Sequence, residues 1–304
     1  VRAVVVIKSM QDNQYFAERA NAIFDEVVYL DNRPNQEELG EVLTNFDVVI
    51  IGAREKITSE LLANHNVRTK VIGSLSVGFD HLDLNALREV GIEVVNSPTA
   101  NVRSVAEHII AFMLCLVKKL KRGDQVVRSG GGRSDLAGLP IEINGKTLGL
   151  VGYGNIGSLV GKMAKSLGMN VIATRASRDA GRDEVAQFMS LQDLAASSDI
   201  VSLSIPLTNS TRRIVDRAFL AQMRPSAFLI NTSRAGVVDE NEVLAALEGG
   251  RLAGYAGDYD DANGRLLNHP SCVFTPHVAG LTVESDARLD NELIDRLADL
   301  ASRN

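Results

Sequence analysis

The chain has 304 residues, 45% hydrophobic and 23% charged, and its 32 basic against 38 acidic residues leave a net charge of −6. That length suits two domains, and the composition excludes a disordered chain, a collagen-like chain and a small disulfide scaffold. A polyanion binder carries a basic excess, so nucleic acid is not an expected partner.

The first eight residues, Val1 to Lys8, read as a buried strand with no cleavage site behind it, so no signal peptide is expected. Short β-branched runs then alternate with helical patterns. Strands are expected at 3–7, 27–30, 48–52, 71–73 and 93–95, and helices near 15–25, 36–43, 59–64 and 84–90. Such alternation means parallel β/α units, and continuously apolar strands are those covered on both faces. A long helix follows at about 102–120, with Val105, Ile109, Phe112, Leu116 and Leu120 along one face. Its end carries Lys118, Lys119, Lys121 and Arg122, which complement a helix C-terminus or form an anion site. The longest apolar run, Ile109 to Val117, falls well short of the about 20 residues of a membrane span, so no membrane partner is expected. The two cysteines, Cys115 and Cys272, lie in apolar runs and make neither a disulfide framework nor a zinc site, so no metal is expected and a reducing, cytoplasmic setting is.

After a glycine-rich loop at 129–134, a second series places strands at 148–151, 170–174, 200–204, 227–230, 254–256 and 272–274. Helices fall near 156–167, 191–196, 216–223 and 240–247, and a last one at about 284–301. The fold expected is α/β, with two doubly wound parallel-sheet domains.

The segment Leu148-Gly149-Leu150-Val151-Gly152-Tyr153-Gly154-Asn155-Ile156-Gly157 is a strand, then G-x-G-x-x-G, then a helix. Gly152 permits the tight turn, Gly154 lets backbone approach a pyrophosphate, and Gly157 lets helix and strand pack closely; the helix N-terminus, opened by Asn155 and Ile156, attracts the phosphates. An acid at the end of the next strand would bond the adenosine ribose. Here the run is Thr174-Arg175-Ala176-Ser177-Arg178. Arg175 can pair with a 2′-phosphate, assisted by Arg178 and the hydroxyls of Thr174 and Ser177, so NADP is expected in preference to NAD; a solvated basic turn is the alternative.

Polar residues recur at later strand ends, where open α/β sheets bind ligands: Asn231-Thr232-Ser233-Arg234, Gly254 to Asp258, and Thr275-Pro276-His277. Together with Ser76-Val77-Gly78-Phe79-Asp80, Asn101-Val102-Arg103-Ser104-Val105-Ala106-Glu107-His108, the glycine turn and Pro206-Leu207-Thr208, they resemble the D-2-hydroxyacid dehydrogenase superfamily, which includes D-3-phosphoglycerate dehydrogenase, glyoxylate/hydroxypyruvate reductase and formate dehydrogenase. The resemblance runs through nearly the whole chain. It implies a flavodoxin-like substrate domain (1–98 plus 281–304), a Rossmann cofactor domain (99–280) and hydride transfer between a nicotinamide cofactor and a small 2-hydroxy or 2-oxo acid. It also implies a homodimer with the stretch 122–140 as a loop arm, and hinges near 98–101 and 280–282.

Residue by residue, the resemblance implies that Leu75, Ser76, Val77 and Gly78 offer backbone N–H groups to the substrate carboxylate. Arg234 holds the carboxylate and polarises the carbonyl, and His277 exchanges the proton. Asp258 lies near the nicotinamide end of the cofactor, Pro206 and Thr232 line the cofactor site, and Asn101 lies near the substrate. The chain departs from the pattern at Asn263, where most members carry a glutamate that bonds the histidine and raises its pKa; a neutral amide stabilises imidazolium less. Either Asn263 partners His277, or Asp260 or Asp261 moves in. Ser76 replaces a common glycine and is a potential donor toward substrate. A formate-dehydrogenase-like oxidation and a non-enzymatic cofactor-sensing protein are the alternatives.

Overall fold

The computed structural model of the protein describes residues 1–175, 181–259 and 262–302. In chain order these form β1 (Arg2–Val5), α1 (Gln14–Ile23), β2 (Glu26–Tyr29), α2 (Gln36–Asn45), β3 (Val48–Ile51), α3 (Ser59–Ala63), β4 (Val71–Ser74), α4 (Leu84–Glu89) and β5 (Glu93–Asn96). Next come α5 (Val102–Val117), α6 (Leu120–Arg128), β6 (Thr147–Val151), α7 (Asn155–Ser166), β7 (Asn170–Thr174), β8 (Gly181–Arg182), β9 (Gln187–Phe188), α8 (Leu191–Ser197) and β10 (Ile200–Leu203). The chain ends with α9 (Arg217–Gln222), β11 (Phe228–Asn231), α10 (Glu240–Glu248), β12 (Gly254–Asp258), α11 (Gly264–Leu267), β13 (Cys272–Thr275) and α12 (Val283–Ala301). The chain divides into two compact units, Val1–Asn101 with Thr282–Asn304, and Val102–Leu281.

The first unit is a five-stranded sheet in the order β2-β1-β3-β4-β5, every pair parallel. This is the flavodoxin-like doubly wound order. One face buries Leu39, Leu43, Leu61, Leu62 and Leu87 from α2, α3 and α4. The other buries Phe16 and Ala20 of α1 with Leu293, Ile294 and Leu297 of α12. The last helix of the chain thus completes the first unit, because a parallel sheet must be covered on both faces.

The second unit has the order β13-β12-β11-β10-β6-β7-β9-β8, parallel except for the short β8–β9 pair. It is the Rossmann arrangement, in which the order reverses between β6 and β10 and ligands bind at the strand carboxyl ends. Val105, Ile109, Phe112, Met113 and Leu116 of α5 pack with Val160 and Ala164 of α7 on one face. Leu194, Phe219, Leu220, Val243, Leu244 and Leu247, from α8, α9 and α10, cover the other.

The helix expected at about 102–120 is α5, which stops at Val117, and a separate helix, α6, follows at Leu120–Arg128. Lys119 takes a left-handed conformation, φ 55°, between α5 and α6. Its amine donates to the Ala137 carbonyl, and Lys121 Nζ donates to the Cys272 carbonyl at 2.8 Å. Two of the four basic residues read as a helix-end or anion feature are thus bonded to distant carbonyls. The pair β8–β9 and the one-turn α11 were not expected, being too short to show a period. Among the described residues, no helix is long and apolar enough to cross a membrane.

Candidate active site

The turn after β6 is set by close approach. Gly152 has φ 97°, and a Cβ there would lie 2.3 Å from the Ser204 carbonyl oxygen. At Gly157 a Cβ would meet the Gly152 carbonyl oxygen at 2.2 Å, so helix and strand pack this closely only through glycine. Gly154 differs: a Cβ there would meet nothing within 4 Å. Packing of the chain on itself does not demand this glycine, and the open space lies at the start of α7. That helix has no side-chain cap and no acid in its first turn, and Asn155 is exposed. Its first N–H groups and the positive end of its dipole fit an anion.

Thr174 ends β7, and Arg175 follows it, exposed. The Arg175 guanidinium carbon lies 4.2 Å from the centroid of the Phe188 ring, a cation–π arrangement, while Tyr153 of the glycine turn meets Phe188 edge-on at 5.1 Å. Burial first, then Asp183, pushes the Tyr153 phenol up to about 12. The arginine is thus held beside the glycine turn by an aromatic platform that sequence reading missed. Ser177 and Arg178, expected to assist it, lie outside the described residues.

The ends of β10 and β11 are stapled together. Ser233 Oγ donates to the Leu203 carbonyl at 3.0 Å and accepts from Ile205 N–H at 3.2 Å. Asn231, fully buried, accepts from Ser233 N–H at 3.0 Å and donates through Nδ2 to the Arg234 carbonyl at 2.9 Å. This Asx turn fixes the backbone from which Arg234, half-buried, projects; Arg234 Nη1 donates to the Ser233 carbonyl at 2.9 Å. Thr232 is half-buried in the same turn and Pro206 is exposed after β10. Neither Asn231 nor Ser233 was singled out as a site residue. The signal was a fully buried polar residue at a strand end.

His277 is exposed and left-handed, with φ 55°, a conformation that costs a non-glycine residue roughly 1–3 kcal/mol and clusters at active sites. The bonds that hold it converge on Asp258, which is 2% exposed. Asp258 Oδ1 accepts from the Thr275 hydroxyl and from Val278 N–H at 2.9 Å, and Oδ2 accepts from Ala279 N–H at 2.7 Å. Thr275 Oγ1 in turn lies 3.0 Å from His108 Nε2 on α5. Burial lowers the pKa of His108, with the charge of Asp258 acting in the opposite sense. Asp258 accepts three hydrogen bonds inside the loop that carries His277.

The expectation that Asn263 partners His277 is not met. Asn263 Oδ1 caps α11, accepting from Arg265 N–H at 3.0 Å, and Nδ2 donates to Asn241 Oδ1 at 3.1 Å. A helix start needs an acceptor, and asparagine is among the preferred caps, so both ends of the amide are used locally. Asp260 and Asp261, the other candidates, lie outside the described residues.

In the first unit, the turn at 75–78 follows β4. Leu75 N–H bonds the Ile51 carbonyl and Ser76 N–H the Ser74 carbonyl, both at 2.8 Å. The carbonyls are tied as well. That of Ser76 accepts from Ser97 N–H at 3.3 Å, that of Val77 from Asn96 Nδ2 at 2.8 Å, and that of Gly78 from Ser76 Oγ at 2.7 Å. Val77 and Gly78 N–H have no acceptor among the described residues. The turn therefore offers two backbone donors, not four, and the Ser76 hydroxyl expected to face substrate closes the turn. Asn101 Oδ1 is buried without a hydrogen-bond partner among the described residues.

A Rossmann sheet with this glycine turn, and with an arginine and a histidine at two of its strand ends, defines the class of nicotinamide-dependent oxidoreductases. The family description "D-isomer specific 2-hydroxyacid dehydrogenase, NAD binding domain" matches residues 110–279, which lie inside the second unit. The chain is 32% identical over 271 residues to a hydroxypyruvate reductase of Thermotoga maritima, covering 86% of this chain and 87% of that one. Among solved structures, an acyclic imino acid reductase in complex with NADPH and D-Arg superposes with a TM-score of 0.90 at 27% identity, covering 100% of this chain and 98% of the other. A D-lactate dehydrogenase from Aquifex aeolicus, complexed with NAD and lactic acid, gives 0.83 at 28% identity, covering 100% and 96%. The chain belongs to the D-isomer specific 2-hydroxyacid dehydrogenase family. It is an NAD(P)-dependent oxidoreductase, and the non-enzymatic alternative is set aside. The residues present fit the cofactor: the α7 N-terminus and the space at Gly154 suit the pyrophosphate. When bound, the nicotinamide supplies or takes up a hydride.

Proposed function

We propose that the protein is an NADP-preferring reductase of a small 2-oxo acid, with glyoxylate and hydroxypyruvate as first substrates to test. The observation that carries the cofactor preference is Arg175, a cation braced on Phe188 at the end of β7, where an NAD-selective site would present an acid. A guanidinium pairs with a 2′-phosphate through two parallel hydrogen bonds. The second unit takes the cofactor and the first the acid. Val77 and Gly78 N–H bind the carboxylate, and Arg234 orients it and polarises the carbonyl. Hydride addition to a carbonyl carbon builds negative charge on oxygen, which Arg234 stabilises and His277 neutralises by giving up a proton. His277 accepts that proton in the oxidative direction, which suits an imidazole near neutral pH.

The formate-type alternative rests on Asn263 and on the run from Gly250 to Asp258; the Asn263 amide caps α11 and bonds Asn241, which favours the 2-oxo acid reading. A homodimer through the second unit is part of the proposal. Leu120, Val127 and Leu139, on α6 and the segment after it, are 57%, 71% and 76% exposed and would give such an interface apolar side chains to bury.

The test is loss of reduced-nicotinamide absorbance with NADPH and NADH in parallel, against glyoxylate, hydroxypyruvate and larger 2-oxo acids. Turnover is expected with NADPH, and Arg175→Ala should raise its KM about 10- to 100-fold while changing that for NADH little. Preference for NADH in the wild type overturns the cofactor reading; turnover only with formate and an oxidised cofactor overturns the substrate reading. Light scattering on a sizing column reads the mass, and a monomer overturns the dimer.

A further inference from the structure

The last helix grips the segment by which the chain leaves the first sheet. Arg288, Glu292 and Arg296 recur at every fourth position of α12 and so share one face. Arg288 Nε donates to the Ala100 carbonyl at 2.8 Å. Glu292 accepts from Thr99 N–H at 3.3 Å and from the Thr99 hydroxyl at 3.0 Å. Arg296 Nη1 donates to the Asn96 carbonyl at 2.6 Å and to Asn96 Oδ1 at 3.2 Å. Ser97, fully buried, donates through Oγ to the Leu289 carbonyl at 2.7 Å. All of these residues belong to the first unit.

The same segment holds the turn at 75–78. Asn96 pairs with Ser74 in the β4–β5 register, level with the start of that turn. Asn96 Nδ2 donates to the Val77 carbonyl at 2.8 Å. That carbonyl shares its peptide with Gly78 N–H. Ser97 N–H donates to the Ser76 carbonyl at 3.3 Å, which shares its peptide with Val77 N–H. A trans peptide points its N–H opposite its carbonyl. Drawing both carbonyls toward residues 96 and 97 therefore turns both free N–H groups away from them. The Asn96 amide has one accepting end and one donating end. Arg296 takes the accepting end, which leaves the donating end for Val77. Turned over, the amide would set its NH₂ against the guanidinium and its oxygen against the Val77 carbonyl oxygen, and both bonds would be lost. Asn96 is 6% exposed, so little water is at hand to replace them.

We propose that Arg296 and Asn96 are positioning residues for acid binding: Arg296 orients the Asn96 amide, and the amide holds the Val77–Gly78 peptide so that Gly78 N–H stays aimed at the substrate carboxylate. This rests on the reading of the turn as the carboxylate grip. Neither residue touches the acid. Without Arg296 the amide is free to turn over, and the peptide that carries Gly78 N–H loses its restraint. The cost falls on acid binding, which needs both donors aligned, more than on the hydride step.

The test uses the full chain with NADPH bound. Oxalate, a non-reacting dicarboxylate, is titrated by calorimetry, with steady-state kinetics on glyoxylate beside it. Arg296 is exposed, and the core face of α12 is made by Leu293, Ile294 and Leu297, so Arg296→Ala leaves the packing in place. It is expected to raise the oxalate Kd and the glyoxylate KM about fivefold, with kcat changed less than about twofold and NADPH affinity unchanged. Asn96→Ala should raise both about tenfold. Because the two residues act through one bond to Val77, adding Arg296→Ala to Asn96→Ala should weaken oxalate binding by less than about twofold more. Amide spectra of the wild type read the grip itself. Oxalate should move the Val77 and Gly78 N–H signals downfield, since a carboxylate is a strong acceptor. If those signals move but Arg296→Ala binds oxalate as tightly as the wild type, or if the two substitutions multiply in full, the relay is overturned and the grip stands. A fall in kcat as large as the rise in KM also overturns the relay. If neither signal moves, or the wild type binds no oxalate, both are overturned. Should Asn96→Ala fail to fold, Arg296→Ala and the amide spectra decide by themselves.

Discussion

In the turn at 75–78 the free groups are the N–H of Val77 and Gly78, and the restraints act on the carbonyls of the same two peptides, that of Ser76 tied by Ser97 N–H and that of Val77 by Asn96 Nδ2. In the segment at 275–279 the group offered is a side chain, and the restraint acts on the backbone to either side of it through Asp258. The first arrangement needs no left-handed residue, whereas the second holds His277 at φ 55°. A peptide presents its amide simply by turning its carbonyl away. A single side chain aimed off a tight turn requires a backbone angle that the chain adopts only when neighbouring bonds outweigh its cost. Each arrangement is backed by a buried or half-buried histidine bonded to a hydroxyl, His81 to Ser74 and His108 to Thr275.

The largest expected effect comes from the side chain itself. If His277 is the proton donor, His277→Ala should lower kcat about 10²- to 10⁴-fold, with NADPH affinity kept; a loss under tenfold would return the loop to a purely structural role. Next is Asp258→Ala, which leaves two loop N–H groups without their acceptor. It should lower kcat about 100-fold by misplacing His277, and cost about 3 kcal/mol in denaturant unfolding through the unsatisfied groups. An equal loss of NADPH affinity would mean that Asp258 serves the cofactor after all.

A smaller effect concerns pH. Burial lowers the pKa of both His81 and His108 in the folded protein below the ordinary imidazole value of about 6.5. The unfolded state therefore binds more protons in acid. The stability they contribute is complete above about pH 6.5 and is lost as pH falls from there through the folded-state values. Melting temperatures recorded from pH 8 to pH 5 should decline in the wild type and decline less in His81→Gln and in His108→Gln. A decline that neither variant reduces removes the parallel between the two regions. The smallest effect is the strain alone: His277→Gly should be more stable than His277→Ala by about 1 kcal/mol, since glycine adopts positive φ without the Cβ penalty. No difference would show that Asp258 holds an unstrained loop.

Much of the architecture was legible in the sequence because parallel strands covered on both faces read as short apolar runs, and because glycine is the residue that allows the contacts at Gly152 and Gly157. Arg175 could be named as a candidate from its place after a strand end, whereas Arg234 and His277, also after strand ends, were named through the family resemblance. Their supports could not be named. Phe188 lies 13 positions after Arg175 on a two-residue strand, and His108 lies 167 positions before Thr275. Asn263 shows the same limit from the other side. Its place in the chain suggested a partner for His277, and the start of a one-turn helix claimed it first.

By itself the sequence determined the two β/α series, the cofactor turn and the identity of the polar residues at the strand ends, since each is written in local period, local sterics or a single residue type. Only the tertiary structure decided which N–H groups remain open at 75–78, which way the Asn96 amide faces, and that Asp258 holds a loop. A hydrogen bond is settled by which donors and acceptors meet once distant elements pack, and that order of meeting is not encoded at any one position.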